Sequence, residues 1–239
     1  STQGYSSAAS DVYKRQAFHQ TMKPVNYLYS IPYEYYQKYG VRKYGAHGTS
    51  VRYVSAHAAK MLGKPLESMR MIVMHLGAGS SITAIQNGKS VDTSMGFTPV
   101  SGVTMGTRAG DVDVSLIAYL MKKLDITDVD QMIDILNTES GLRGISGISH
   151  DVRDLEAAAP THPRAKLALD IFVNRIIKYI GAYAALMNGV DVLVFTAGIG
   201  EHSSNIRARI MQSLGYLGAR IDPEPVSYTH LTLPTNSLV

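Results

Sequence analysis

Cysteine and tryptophan are both absent from the 239 residues, and phenylalanine occurs only 4 times. Without thiols there is no disulfide framework, no thiol nucleophile and no thiolate metal site. No apolar run approaches the ~20 residues that a membrane-spanning helix needs. A charged-then-apolar leader is missing as well. Excess charge is slight, at +4 with Lys and Arg scattered, which argues against a nucleic-acid partner. Together these absences predict a soluble cytoplasmic protein that engages neither membrane nor nucleic acid.

What is present points to a folded α/β chain. With 45% hydrophobic residues, the length is enough to bury one large core or two small ones. The two ends differ from the middle. Residues 1–16 and 225–239 are mixtures of small and polar residues without helical or strand period, and are read as a non-native leader and tail, such as translated adapter sequence. Ordinary flexible termini are the plainer alternative.

Between the ends, strands and helices alternate. Met71–His75 and Ile82–Ile85 read as strands joined through Gly77–Gly79, and Lys89–Thr93 follows the Asn87-Gly88 hairpin signal as a third. The result is an antiparallel meander. Helices are expected over Val114–Leu124, with Asp111 and Asp113 suiting its start, and over Gln131–Asn137. The longest runs from about Arg164 to Met187, where Phe172, Ile176, Ile180 and Tyr183 recur at helical spacing before an Asn188-Gly189 stop. Val190–Phe195 is a nearly continuous apolar run, as for a strand covered on both faces. A Gly-Ile-Gly turn then leads into a helix over Ser204–Leu214.

Two glycine-rich segments sit on these strand ends: His75-Leu76-Gly77-Ala78-Gly79 and Gly198-Ile199-Gly200-Glu201-His202. Glycine lets the backbone approach an anion closely and point its N–H groups at phosphate oxygens. Two such sites suggest a polyphosphate held from two sides, a nucleotide above all; plain tight turns are the alternative. Neither segment is the common phosphate loop. Asn87-Gly88-Lys89-Ser90 ends like one, but Thr83 stands where its first glycine belongs.

Five segments in order carry a resemblance. Tyr44-Gly45-Ala46-His47-Gly48-Thr49-Ser50, His75–Gly79, Ser94-Met95-Gly96-Phe97-Thr98-Pro99, Met105-Gly106-Thr107-Arg108 and Phe195–Ser203 resemble the acetate kinase family in order and spacing. The resemblance covers 17–224, the central and C-terminal region, taken as the nucleotide-binding domain. It implies the actin-like ATPase (ribonuclease H-like) fold, a mixed sheet flanked by helices, here mainly the second domain of a two-domain kinase. It also implies Mg2+-dependent reversible phosphoryl transfer between ATP and acetate, giving acetyl phosphate and ADP, by a homodimer.

Residue roles follow from the same resemblance. Arg108 and His47 take the roles of transition-state stabilisers. His75, Leu76, Gly77, Ala78 and Gly79 match the loop holding the ATP phosphates. Gly198, Ile199, Gly200, Glu201 and His202 match the adenosine-side loop, and Asp151, Val152 and Arg153 a third nucleotide-contacting segment. Each has a plainer reading: Arg108 paired with Asp111 or Asp113, His47 a structural loop histidine, and Asp151 with Arg153 a surface pair or helix start. Asp92, Asp113 and Asp170 are read as solvated or capping residues.

Several positions depart from the family pattern. Ala78 stands where Asn is usual, Val51 replaces a second His, and His202 stands at a typical Asn. Arg15 falls on the active-site aspartate, reversing its charge. The Mg2+ ligands and the first domain are expected outside the matched stretch, so this chain is expected to turn over little. Propionate or butyrate kinase shares these loops, and a non-catalytic nucleotide-binding or dimerisation module is the reading from another class.

Overall fold

The computed structural model describes residues 17–219 and, by backbone pairing alone, 232–233 and 237–238. The leader at 1–16, Arg15 and most of the tail at 225–239 lie outside these residues. The short pairing of Thr232–Leu233 with Ser237–Leu238 is local order that the tail's composition did not predict.

The sheet grows from the expected meander. Strands β1 (Arg70–Leu76), β2 (Ser80–Gln86) and β3 (Lys89–Thr93) pair antiparallel. Asn87 (φ 54°) and Gly88 (φ 71°) are both left-handed, as a type I′ hairpin requires. Strand β4 (Val192–Thr196) returns parallel to β1, pairing from Met71↔Val192 to His75↔Thr196. The order β3-β2-β1-β4 is therefore a mixed sheet, and the parallel pair brings two strand ends to one edge.

Among the described residues, three α-helices precede the sheet: α1 (Pro24–Tyr27), α2 (Tyr33–Tyr39) and α3 (Gly48–Met61). Between β3 and β4 lie α4 (Val114–Lys123), α5 (Val129–Thr138), α6 (Gly141–Ser146), α7 (Val152–Ala158) and α8 (Pro163–Leu186). After β4 come α9 (Ala197–His202) and α10 (Ser204–Gln212).

Side-chain alternation along β1 builds two cores. Ile72, Met74 and Leu76 pack with Phe172, Ile176 and Ile180 of α8. Met71 and Val73 turn the other way, against Val51, Ala58 and Ala59 of α3. Each fully buried side chain of this size contributes roughly 1.5–3 kcal/mol. The same alternation sends His75 to the α3 face, beside the start of that helix. Val51 is thereby a core residue with no exposure.

Helix α4 begins where predicted, with the Asp113 carboxylate accepting from Ser115 N–H at 2.8 Å. Asp111 does not cap it but accepts from Gly102 N–H at 2.8 Å. Helix α8 starts at Pro163, its cap being His162 Nδ1, and stops at left-handed Asn188 (φ 54°) and Gly189 (φ 120°). Asp92 is not solvated: it pairs with Lys43. Asp170 pairs with Lys166 and Arg209.

The Gly198-Ile199-Gly200 turn is a correction. Those residues are helical, inside α9, and the left-handed residue is Ala197 (φ 65°). The reversal occurs one residue earlier than the glycines suggested. Ser203 then separates α9 from α10, its Oγ accepting from Ile206 N–H.

Candidate functional site

At the shared edge of β1 and β4 the two glycine segments abut. A Cβ on Gly77 would lie 3.6 Å from the Ala197 Cβ, a closeness set by the His75↔Thr196 register. Ser80 braces the first turn by donating to the Gly77 carbonyl at 3.0 Å. Glu201 braces the second, accepting from Thr196 Oγ1 at 3.1 Å and Ala197 N–H at 3.0 Å. Leu76 is fully buried in the core. Gly200 is buried where a Cβ would come 3.4 Å from the Phe195 backbone. Of the expected ligand residues, Leu76, Gly200 and Glu201 are thus packing and bracing positions.

His47 stands at the start of α3 in the left-handed region, φ 59° and ψ 15°. A non-glycine residue there stores of order 1–3 kcal/mol of strain. Its Nδ1 lies 2.9 Å from Ser81 Oγ. Its ring stacks on His75 with centroids 3.9 Å apart and planes 18° apart. His75 is held from behind by Ser50 Oγ at 3.0 Å. Burial pushes the His75 pKa down, against a smaller upward pull from Glu201.

Arg108 comes from the irregular segment between β3 and α4. That segment is tied to the first glycine turn by Gly106 N–H donating to the Ala78 carbonyl at 3.2 Å. Measured from the point a Cβ on Gly79 would occupy, Arg108 Nη1 is 3.1 Å away and His47 Nε2 is 3.7 Å away. Both cationic or donor groups therefore converge on Gly79, and any larger residue there would fill the space between them. Among the described residues, Arg108 has no carboxylate partner: Asp111 and Asp113 are engaged elsewhere.

On the other side of the turn lies a cleft of about 460 Å³. It is lined by Gly77, Ala78, Asp151, Val152, Arg153, Gly198, Ile199 and His202, all expected from sequence. His75 and Gly79 stand outside this lining, on the His47 side. Asp151 caps α7 by accepting from Arg153 N–H at 2.9 Å and pairs with the Arg153 guanidinium at 2.6 Å. Those two contacts hold its pKa near about 2. The plainer reading of the pair, a helix start with a surface ion bridge, is thus also true. The Arg153 side chain is 86% exposed, so it can move over a ligand face.

Sequence reasoning missed three lining residues: His150, Glu156 and Ser203. Glu156 accepts from Ser203 Oγ at 2.7 Å and Asn205 Nδ2 at 3.1 Å, tying α7 to the start of α10. Its signal was available, since Glu156 follows Val152 by four residues and shares its helix face. Among the described residues, no group of three His, Cys, Asp or Glu could hold a metal ion. No helix among them is long and apolar enough to cross a membrane.

Comparison with known proteins gives the class first. The chain superposes on an acetate kinase from Porphyromonas gingivalis with a TM-score of 0.85 at 45% identity, covering 87% of this chain and 52% of that one. On a propionate kinase from Francisella tularensis the TM-score is 0.82 at 48% identity, covering 87% and 53%. The fold is accordingly the actin-like ATPase fold. A family model for the acetokinase family matches residues 10–235. An acetate kinase from Lacticaseibacillus paracasei is 76% identical over 206 residues, 86% of this chain and 52% of that protein. The chain belongs to the acetokinase family. It spans about half the length of the curated relatives it matches.

Proposed function

We propose that this chain is the nucleotide-holding half of an acetate kinase, which transfers the terminal phosphoryl group of ATP to acetate and runs in reverse. The observation that carries the reading is the convergence of Arg108 and His47 on Gly79, beside a cleft of nucleotide size. The adenine lies in the cleft between Ile199 and Arg153, whose guanidinium suits an aromatic face. The phosphates pass over Gly77–Gly79, whose backbone approaches them without side-chain obstruction.

Phosphoryl transfer spreads negative charge over three equatorial oxygens, so positioned positive charge is its main demand. Arg108 is permanently charged and forks onto two oxygens. With His47 Nδ1 engaged by Ser81 Oγ, the other ring nitrogen, Nε2, faces Gly79, where a proton on it would donate to a phosphoryl oxygen. Acetate is already ionised at neutral pH, so no general base is needed.

Relatives in this family use Mg2+, and the carboxylates nearest the cleft are already occupied. The cleft carboxylates Asp151 and Glu156 and the bracing Glu201 are all engaged by neighbouring groups. No step is assigned to the ion. A homodimer in the cytoplasm is the family expectation and is proposed on that basis. The Francisella tularensis likeness favours a second reading, propionate as acceptor.

Calorimetric titration of the chain with ATP tests the reading. Binding is expected, weakened by Arg108→Ala and by a bulky residue at Gly198; no binding, or indifference to both changes, overturns it. Relative rates on acetate, propionate and butyrate, measured in a completed two-domain enzyme, separate the two acceptors.

A further inference from the structure

Arg108 sits in an unusual setting. Residues 94–113 form a stretch of 20 without helix or strand, a length that in a compact domain generally signals function. Such a segment places a guanidinium accurately only if its ends are pinned.

The pin is visible at its base. Asp111 N–H donates to the Gly102 carbonyl at 2.8 Å, and the Asp111 carboxylate accepts from Gly102 N–H at 2.8 Å. The second carboxylate oxygen accepts from the hydroxyl of Tyr179, on α8. Backbone packs on backbone at this crossing: a Cβ on Gly110 would come within 2.5 Å of the Gly102 carbonyl oxygen. Beyond the pin, residues 103–110 are a closed excursion carrying Arg108. Its tip touches both the Ala78 carbonyl and the first turn of α6, where Leu142 N–H donates to the Met105 carbonyl.

We propose that Asp111, clasped by Tyr179, is a positioning residue for Arg108. It locks the base of the excursion to the longest helix and so fixes the guanidinium over Gly79. Asp111 touches neither Arg108 nor the cleft lining, and its side chain is at the surface. Removing it therefore takes no apolar contact from the core. The inference rests on the nucleotide reading above, because it concerns what Arg108 does to a terminal phosphate.

The test compares ATP with AMP, by calorimetry on the full chain. AMP reports the cleft, whereas ATP adds the phosphates that reach Arg108. Asp111→Ala is expected to lower the preference for ATP over AMP about tenfold, the scale of one charge-assisted contact, leaving AMP affinity within about twofold. Combining it with Arg108→Ala should cost no more than Arg108→Ala alone, because the two act through one contact. Asp111→Asn retains an oxygen for Gly102 N–H and should restore most of the preference. Tyr179→Phe, which removes one hydroxyl from the clasp, should give an intermediate loss and serves if Asp111→Ala misfolds. A preference untouched in Asp111→Ala and Tyr179→Phe but lost in Arg108→Ala overturns the clasp alone. A preference untouched in Arg108→Ala overturns the nucleotide reading and the clasp with it.

Discussion

His47 combines an unfavourable backbone conformation with the best-connected ring of the site. At φ 59° its Cβ crowds the following carbonyl, yet the ring meets Ser81, His75 and the Gly79 side at once. Strain held in place by surrounding contacts is a mark of functional positions. Two variants separate the backbone from the ring. His47→Ala and His47→Gly lose the same side-chain contacts, but only glycine relieves the left-handed strain. In urea titrations the glycine variant is expected to be more stable by about 1 kcal/mol. An alanine variant of equal or greater stability would contradict the left-handed assignment. Both variants should bind ATP more weakly than the parent chain.

Elements deliver these residues to one edge. Because β1 and β4 are parallel and in register, whatever follows Leu76 and Thr196 emerges side by side. The second turn depends on Glu201, which reaches back one helical turn to Thr196 and Ala197. Glu201→Ala removes both acceptors, and thermal unfolding should show a loss of about 1 kcal/mol, the scale of a helix-capping contact. No change in melting would mean that the turn is held by packing alone.

The meander, the Asn87-Gly88 hairpin and the long helix α8 were legible in the sequence, because each carries a strong local signal: alternation, a left-handed pair, or apolar residues at helical spacing. Helix α3 was not. Its buried residues are Gly48, Val51, Ser55, Ala58 and Ala59, too small and polar to print an apolar stripe. The glycines of α9 misled for a related reason. They signal backbone freedom, whereas the structure uses Gly200 for close packing and assigns the left-handed residue to Ala197. The glycine turns, His47 and Arg108 were singled out by motif, and the structure brings them to one edge. Glu156 and Asp111 were missed, because their partners Ser203 and Tyr179 lie 47 and 68 residues away in sequence.

On the scale of the whole molecule, one buried and one half-buried histidine link folding to pH. Burial lowers the pKa of His19 and of His75 below the ordinary 6.5. As pH falls through that value, the unfolded chain takes up protons that the folded chain refuses. Stability is therefore fully present above about 6.5 and declines as pH drops toward the folded values. The depressed carboxylates Asp151, Asp170 and Asp191 act only in a more acidic window, below the ordinary carboxylate range. Urea midpoints should thus fall between pH 7.5 and 5.5, and His75→Gln should flatten that slope. A flat profile in the parent chain would contradict the burial of these rings.

Both halves of the site, cleft and cationic pair, meet at one glycine turn, and a structure of the chain with bound ATP examines that meeting directly. Adenine is expected between residues 153 and 199, with the phosphates crossing Gly77–Gly79 and the terminal phosphate within hydrogen-bond reach of both Arg108 and His47. A nucleotide seated elsewhere, or one whose phosphates turn away from Gly79, would contradict this placement.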